Sequence, residues 1–452
     1  MKINKITKAI KAFALRDSIL TALYILMVHY AYVEYIYPTF EYAHYVYVPY
    51  SNVAICTTYF LAWIAVLFHK NSGHPAQAAA ALIYVLSYVP AQLIIIFTIE
   101  KPYSELFIPQ IALASSMATL FRFAHYCKKP LTTQKICRFN RLDIIFGILT
   151  MIAIVLLIEK NISHMRIVSF ADVYDLRSDS AGTSDNIFEA YMTSWLSYCF
   201  ISYFYARAIH VKNWVFASIG MIGSVFIYMS TGSKAAILLL PITIGMYFLC
   251  SNGTQYLRNI LISLLIVIPI LIFAFPDEGA YLWAKSITLV RIIGSGGWVV
   301  AKYYEYFNSN EFTYYTHIGP IGTIFGGYPF EKLQIGQVIA NAYDSPGANF
   351  NAGFWATDGF ASLGMIGIFI VTIFMALLFY LINHLTTSVP APFTIAWMTG
   401  FFISLLNTPL ATALLSGGGA VILISYWLSF RFGKSNIITT SINSENPKEV
   451  SS

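Results

Sequence analysis

Gly364-Met-Ile-Gly-Ile-Phe-Ile-Val-Thr-Ile-Phe-Met-Ala-Leu-Leu-Phe-Tyr-Leu-Ile382 runs through the chain without a single charge. Such a stretch has no place on a soluble surface, whereas a membrane span needs about 20 mostly apolar residues to cross roughly 30 Å of hydrocarbon. The run 261–275 reads the same way. Around them the composition agrees: 58% of residues are hydrophobic, only 11% are charged, and the mean hydropathy is +0.65. A soluble domain would carry about 25% charged residues. Backbone groups in lipid must be satisfied within their own segment, so the spans are helices. The expected fold is therefore all-α: one polytopic integral membrane domain over 1–452 with about 12 transmembrane helices. They are placed at 18–36, 50–69, 77–99, 106–126, 142–159, 187–208, 213–230, 233–250, 257–276, 357–382, 392–412 and 414–431.

Lys and Arg set the expected orientation. Lys2, Lys5, Lys8, Lys11 and Arg16 precede the first span, and Lys128, Lys129, Lys135, Arg138 and Arg141 follow the fourth. Arg207 with Lys212, Arg258, and Arg431 with Lys434 fall on the same side. The positive-inside rule makes that side, and both termini, cytoplasmic. The connector 383–391 should share that side although it carries no cation. Ile3, Ile6, Ile10 and Phe13 interleave with the first lysines, as in an amphipathic tail over 1–17 lying on an anionic leaflet. No small-residue cleavage site follows Tyr30, so no cleavable signal is expected. The polar tail 435–452 reads as disordered.

The connectors are unequal. Most are short, but 277–356 is a large outer, periplasmic loop rich in Tyr, Gly and Asn. A transporter needs helices and short connectors, whereas an enzyme working on a large substrate at the bilayer surface needs a roof over its site. Soluble-enzyme motifs are missing. Gly294-Ser-Gly-Gly297 lacks the Lys-Ser/Thr of a phosphate loop, and no metal or cofactor motif is present. The cysteines, none in an outer loop, read as apolar fillers.

The outer cations break the charge rule in three separate places. Arg166 and Arg177 flank Ser169-Phe-Ala-Asp-Val-Tyr174-Asp-Leu; Lys234 opens a helix after Thr231-Gly-Ser; Lys285 and Arg291 bracket Ser-Ile-Thr-Leu-Val. Lys285 to Arg291 reads as helical, with Trp283, Ile287, Val290 and Gly294 on one face and Arg291 at its border. Arg offers a planar fork that matches phosphate oxygens, and Lys adds a point charge. The 232–234 turn would also present backbone N–H groups at a helix N-terminus, where anions bind. Each cation taken singly is as readily a solvated charge, and Arg177 has Asp175 and Asp179 beside it.

Tyr303, Tyr304, Tyr306, Tyr314, Tyr315, Tyr328 and Tyr343, with Asn341, Asn349 and Asn351, suit sugar faces and hydroxyls. The Tyr30–Tyr50 group belongs rather to an interfacial belt. Asp358 falls where the loop enters the tenth span. It is either a first-turn acid that complements the helix dipole, or a functional acid beside the sugar-binding loop.

Three stretches resemble the bacterial O-antigen polymerase family, the oligosaccharide repeat unit polymerases. They are Val173-Tyr-Asp-Leu-Arg177, Thr231-Gly-Ser-Lys234, and Asn349-Phe-Asn351 leading to Asp358-Gly-Phe and Gly364. At the second, the family more often has Arg where Lys234 stands. The plan of many spans and one large late outer loop is also similar to multi-span lipid-linked glycosyltransferases. The resemblance implies an enzyme of the inner membrane that joins undecaprenyl-pyrophosphate-linked oligosaccharides at the outer face, with the lipid pyrophosphate leaving. The outer cations and the resembling stretches together make Arg177, Arg291 and Asp358 the expected catalytic residues. Arg166, Tyr174, Lys234, Lys285, His317, Asn349 and Asn351 would bind substrate. The resemblance implies no cofactor, membrane lipid as partner together with a flippase and a chain-length regulator, and no nucleic acid. Asp358, His317 and Glu305 all remain open as the base. A flippase or other transporter, or an O-antigen ligase-like transferase, is the alternative; a transporter would place charges nearer the middle of its spans.

Overall fold

The structure is a computed structural model that describes residues 2–40, 44–127, 141–163, 165–167, 186–251, 253–331, 333–345 and 347–428, with side chains from Leu15 onward. Every regular element among the described residues is a helix. Among the described residues, eight helices are long and apolar enough to cross a membrane: Leu15–Thr39, Pro75–Thr98, Tyr103–Ala124, Arg141–Asn161, Trp214–Thr231, Lys234–Ser251, Tyr256–Phe273 and Trp355–Leu385. Asn52–Phe68, Ala391–Asn407 and Gly419–Leu428 are apolar but shorter. The expected span 187–208 is one winding path of Ile187–Trp195, a π-helical Leu196–Phe200 and Ile201–Val211. The expected 392–412 stops at Asn407, because Pro409 has no N–H to continue the ladder; a separate helix, Leu410–Leu415, then begins.

The chain sorts into two compact units. The first gathers Met1–Cys127, Gly245–Tyr380 and Phe401–Ala413. Its centre is Pro75–Thr98, with 83% of its apolar window buried. Small residues at Ala76 and Ala78–Ala81 let neighbouring backbones approach. Gln92 and Gln110 each donate a side-chain amide to the other's carbonyl at 2.8 Å, a buried cross-link to Tyr103–Ala124.

The expected loop 277–356 is largely helical in this unit. Gly279–Lys285, Ser286–Gly294 and Ser295–Phe307 follow one another without a break. A Cβ on Gly297 would lie 2.6 Å from the Pro90 carbonyl oxygen, and one on Gly296 would strike the Leu86 carbonyl. Only glycine lets this helix lie so close to Pro75–Thr98. The Ser286–Gly294 stretch is π-helical, and its wider turn re-aims the side chains. Leu289, Ile293 and Gly294 are buried while Trp283 is 40% exposed, so the face expected from α-helical spacing does not form.

The second unit gathers Lys128–Ile244, Leu381–Gly400 and Leu414–Ser452. Its described core is an aromatic cluster of Phe146, Phe200, Tyr203, Phe393 and Trp397 built around a buried ion pair. Arg207 meets Asp143 in bidentate fashion at 2.7 and 2.6 Å, and the Tyr203 hydroxyl donates to the same carboxylate at 2.6 Å. Arg207 is thus spent inside the fold and is not a loose flanking charge.

Candidate active site

The site in the first unit begins with a break in a helix. Trp355–Phe360 is a π-helical turn, and the helix that follows is interrupted at Leu363 and Gly364. Gly364 has φ +59° and packs under the Phe312 ring, 3.1 Å from where a Cβ would stand. The interruption frees two carbonyls. Ala361 O accepts Thr313 N–H at 2.8 Å, and Ser362 O accepts Tyr314 N–H at 3.1 Å. The segment 313–318 is pinned beside Asp358 in this way.

Asp358 is 3% exposed. As expected, it sits in the first turn of the spanning helix Trp355–Leu385, in the π-helical stretch before the break. Its Oδ2 accepts Leu410 N–H at 2.8 Å and the Thr357 hydroxyl at 3.2 Å. The carboxylate therefore caps a different helix, Leu410–Leu415. Its Oδ1 lies 3.7 Å from His317 Nε2, while His317 Nδ1 meets the Thr313 hydroxyl at 3.1 Å. His317 Nε2 and Tyr315 Oη are both buried without a hydrogen-bond partner in the protein.

A small, partly open cleft adjoins this group along the chain. Its lining includes Ser87, Arg291, Asn351, Gly353, Trp355 and Asn407. Arg291 and Asn351 are exposed there. The walls 351–355 and 405–407 are the two segments that Asp358 and Leu410 join a few residues further on. Three π-helical stretches, 84–88, 286–294 and 355–360, supply lining residues. Such windings recur at functional sites because they turn side chains and backbone out of the regular ladder.

Other expected site residues have structural employment. Lys285 is 1% exposed, and its ammonium donates to Phe275 O at 2.7 Å, Ile272 O at 3.3 Å and Asp277 Oδ1 at 2.6 Å. It closes the C-terminus of Tyr256–Phe273 and is not offered to a substrate. Burial raises the Asp277 carboxyl, but the Lys285 ammonium and the Tyr35 hydroxyl together hold it below the ordinary range. Asn349 donates to Gln334 Oε1 at 2.7 Å and ties the loop to Ile335–Ala342. Glu305 Oε2 accepts Lys302 at 2.8 Å and the Tyr343 hydroxyl at 2.9 Å, which leaves it poorly placed as a base.

In the second unit, two amides of the 232–234 turn are already bonded. Gly232 N–H goes to Tyr228 O at 2.9 Å and Ser233 N–H to the Thr231 hydroxyl at 3.3 Å. Those two amides of the expected anion cradle are taken, and Lys234 is half-buried at the head of its helix. Arg166 is exposed. Arg177 and Tyr174 lie outside the described residues. Of the expected residues, the first unit thus assembles Arg291 and Asn351 on the cleft, with Asp358 and His317 behind its wall. Tyr315, Leu410 and Asn407 were missed; only Tyr315 stood out in the sequence, as one tyrosine among many.

No family model, curated protein or solved structure matches this chain.

Proposed function

We propose that the chain is a glycosyltransferase that polymerises undecaprenyl-pyrophosphate-linked oligosaccharide repeat units into O-antigen or a similar surface polysaccharide. The reaction would take place at the outer face of the inner membrane, with both termini in the cytoplasm. One observation carries the reading: a cleft with an exposed arginine, amide side chains and no carboxylate in its lining is walled by the segment 351–355, which leads within three residues to the buried Asp358 beside His317. These are the parts a lipid-pyrophosphate transfer needs.

Arg291 supports the leaving pyrophosphate. Negative charge builds there as the glycosidic bond breaks, and a preorganised donor aimed at developing charge is worth on the order of 10²–10³ in rate. The guanidinium fork suits two phosphate oxygens at once. Asn351 serves the sugar hydroxyls. The Asp358–His317 couple takes the proton of the attacking hydroxyl, with the Thr313 hydroxyl on Nδ1 orienting the imidazole and Asp358 balancing its charge. Nothing in this scheme requires a nucleotide sugar.

A deletion strain tests the reading. Single repeat units on the outer lipid are expected, since delivery and ligation would persist while polymerisation stops. Loss of every surface repeat would refute polymerisation and favour a flippase or a ligase.

A further inference from the structure

We infer that Tyr315 Oη, His317 Nε2 and Asp358 Oδ1 enclose a seat for a single hydroxyl oxygen, and that Tyr315 binds the attacking hydroxyl of the acceptor sugar there. The second half rests on the proposed glycosyl transfer; the first half does not. Both Tyr315 Oη and His317 Nε2 are buried and unpartnered. The 3.7 Å between His317 Nε2 and Asp358 Oδ1 is too long for a direct hydrogen bond. Polar atoms left at such spacing are commonly bridged by one oxygen. A hydroxyl fits because it both donates and accepts. Its proton faces the Asp–His couple while its lone pair accepts the tyrosine O–H.

The backbone argues for the same aim. Tyr314 and Tyr315 have φ +48° and +63°, consecutive bulky residues in the left-handed region. Such conformations persist where the surroundings over-determine them, and they gather at functional sites. Here the bonds to Ala361 O and Ser362 O, with Thr316 N–H to Thr313 O and Ile318 N–H to Tyr315 O, fix the turn. Tyr314 remains 62% exposed, so burying its ring does not account for the strain. Burial, and then the charge of Asp358, push the Tyr315 hydroxyl up to about 12, so it stays a donor at neutral pH.

In the reaction, the seated oxygen forms a bond to the anomeric carbon of the donor. The bond from that carbon to the phosphate oxygen breaks, and its electron pair leaves with the pyrophosphate. The hydroxyl proton passes to the Asp358–His317 couple.

The test is Tyr315→Phe, which keeps the ring and the turn and removes only the hydroxyl. With purified protein in liposomes, KM for the acceptor should rise on the order of tenfold, the worth of one hydrogen bond, while KM for the donor and the melting temperature hold. Unchanged acceptor KM, or equal losses for both substrates, would overturn the role of Tyr315. An electron cryo-microscopy map that resolves water tests the seat whatever reaction the chain performs. An ordered oxygen between the three atoms is expected, and a dry gap would refute the seat.

Discussion

Asp358 Oδ2 accepts the backbone N–H of Leu410 at 2.8 Å, so an acid in the first turn of one helix holds the start of another. That bond joins the two chain segments whose neighbours, 351–355 and 405–407, line the cleft. One carboxylate thus has a structural oxygen and an oxygen turned toward His317.

The two duties separate by substitution. Asp358→Asn keeps an oxygen for Leu410 and loses the charge beside His317. Normal amounts of folded protein with little or no polymer are expected. Asp358→Ala also strands a buried N–H, at a cost of about 1–3 kcal/mol, and should lower thermal stability as well. Near-normal chain length from the Asn variant would leave Asp358 a cap alone.

Arg291 is exposed on the cleft, so its removal should leave the fold intact. Arg291→Ala should lower polymerisation on the order of 10²–10³, and Arg291→Lys should recover little because the fork is lost. Polymer yield at equal protein level decides this. A fully active alanine variant would make Arg291 an ordinary surface charge.

Lys285 and Asp277 belong to the fold. The Asp277 carboxyl is held below its ordinary range, so its contribution is present at neutral pH and disappears as pH falls through that lowered value. Melting temperature should therefore fall on acidification below about pH 4. Asp277→Asn should flatten that acid limb, and Lys285→Met should destabilise at every pH by removing the ammonium from the Phe275 and Ile272 carbonyls. An unchanged acid limb in Asp277→Asn would contradict the assignment.

Gly297 tests the packing of the unexpected helix. Gly297→Val must push Ser295–Phe307 away from Pro90 and Ile94; overpacking of this kind costs about 1–3 kcal/mol. Gly147→Ala meets nothing within 4 Å and should be neutral or stabilising. Thermal unfolding of the detergent-purified variants gives the comparison, and equal stability of the two would contradict the packing.

Hydropathy made the long helices legible, because lipid demands the same apolar length wherever a span occurs. It failed for Gly279–Phe307, where Lys285, Gly294, Gly297 and Lys302 are buried among Leu289, Ile293, Trp298 and Phe307 and interrupt the apolar pattern. A buried lysine reads as a surface charge until its carbonyl partners, which come from another segment, are known. Arg207 misled in the same way, since Asp143 lies 64 residues away. At the site, Asp358, His317, Arg291 and Asn351 stood out by residue type alone. Their joining through Leu410 and a helix break at Gly364 depends on pairings 52 residues apart, which no local pattern encodes.

Reconstitution tests the central claim most directly. Purified protein in liposomes, given only undecaprenyl-pyrophosphate-linked repeat units, should yield a ladder of lengthening glycans with release of undecaprenyl pyrophosphate. The Arg291→Ala protein should yield none. Absence of any elongated product from the wild-type protein, with lipid-linked units merely moved across the bilayer, would contradict the account.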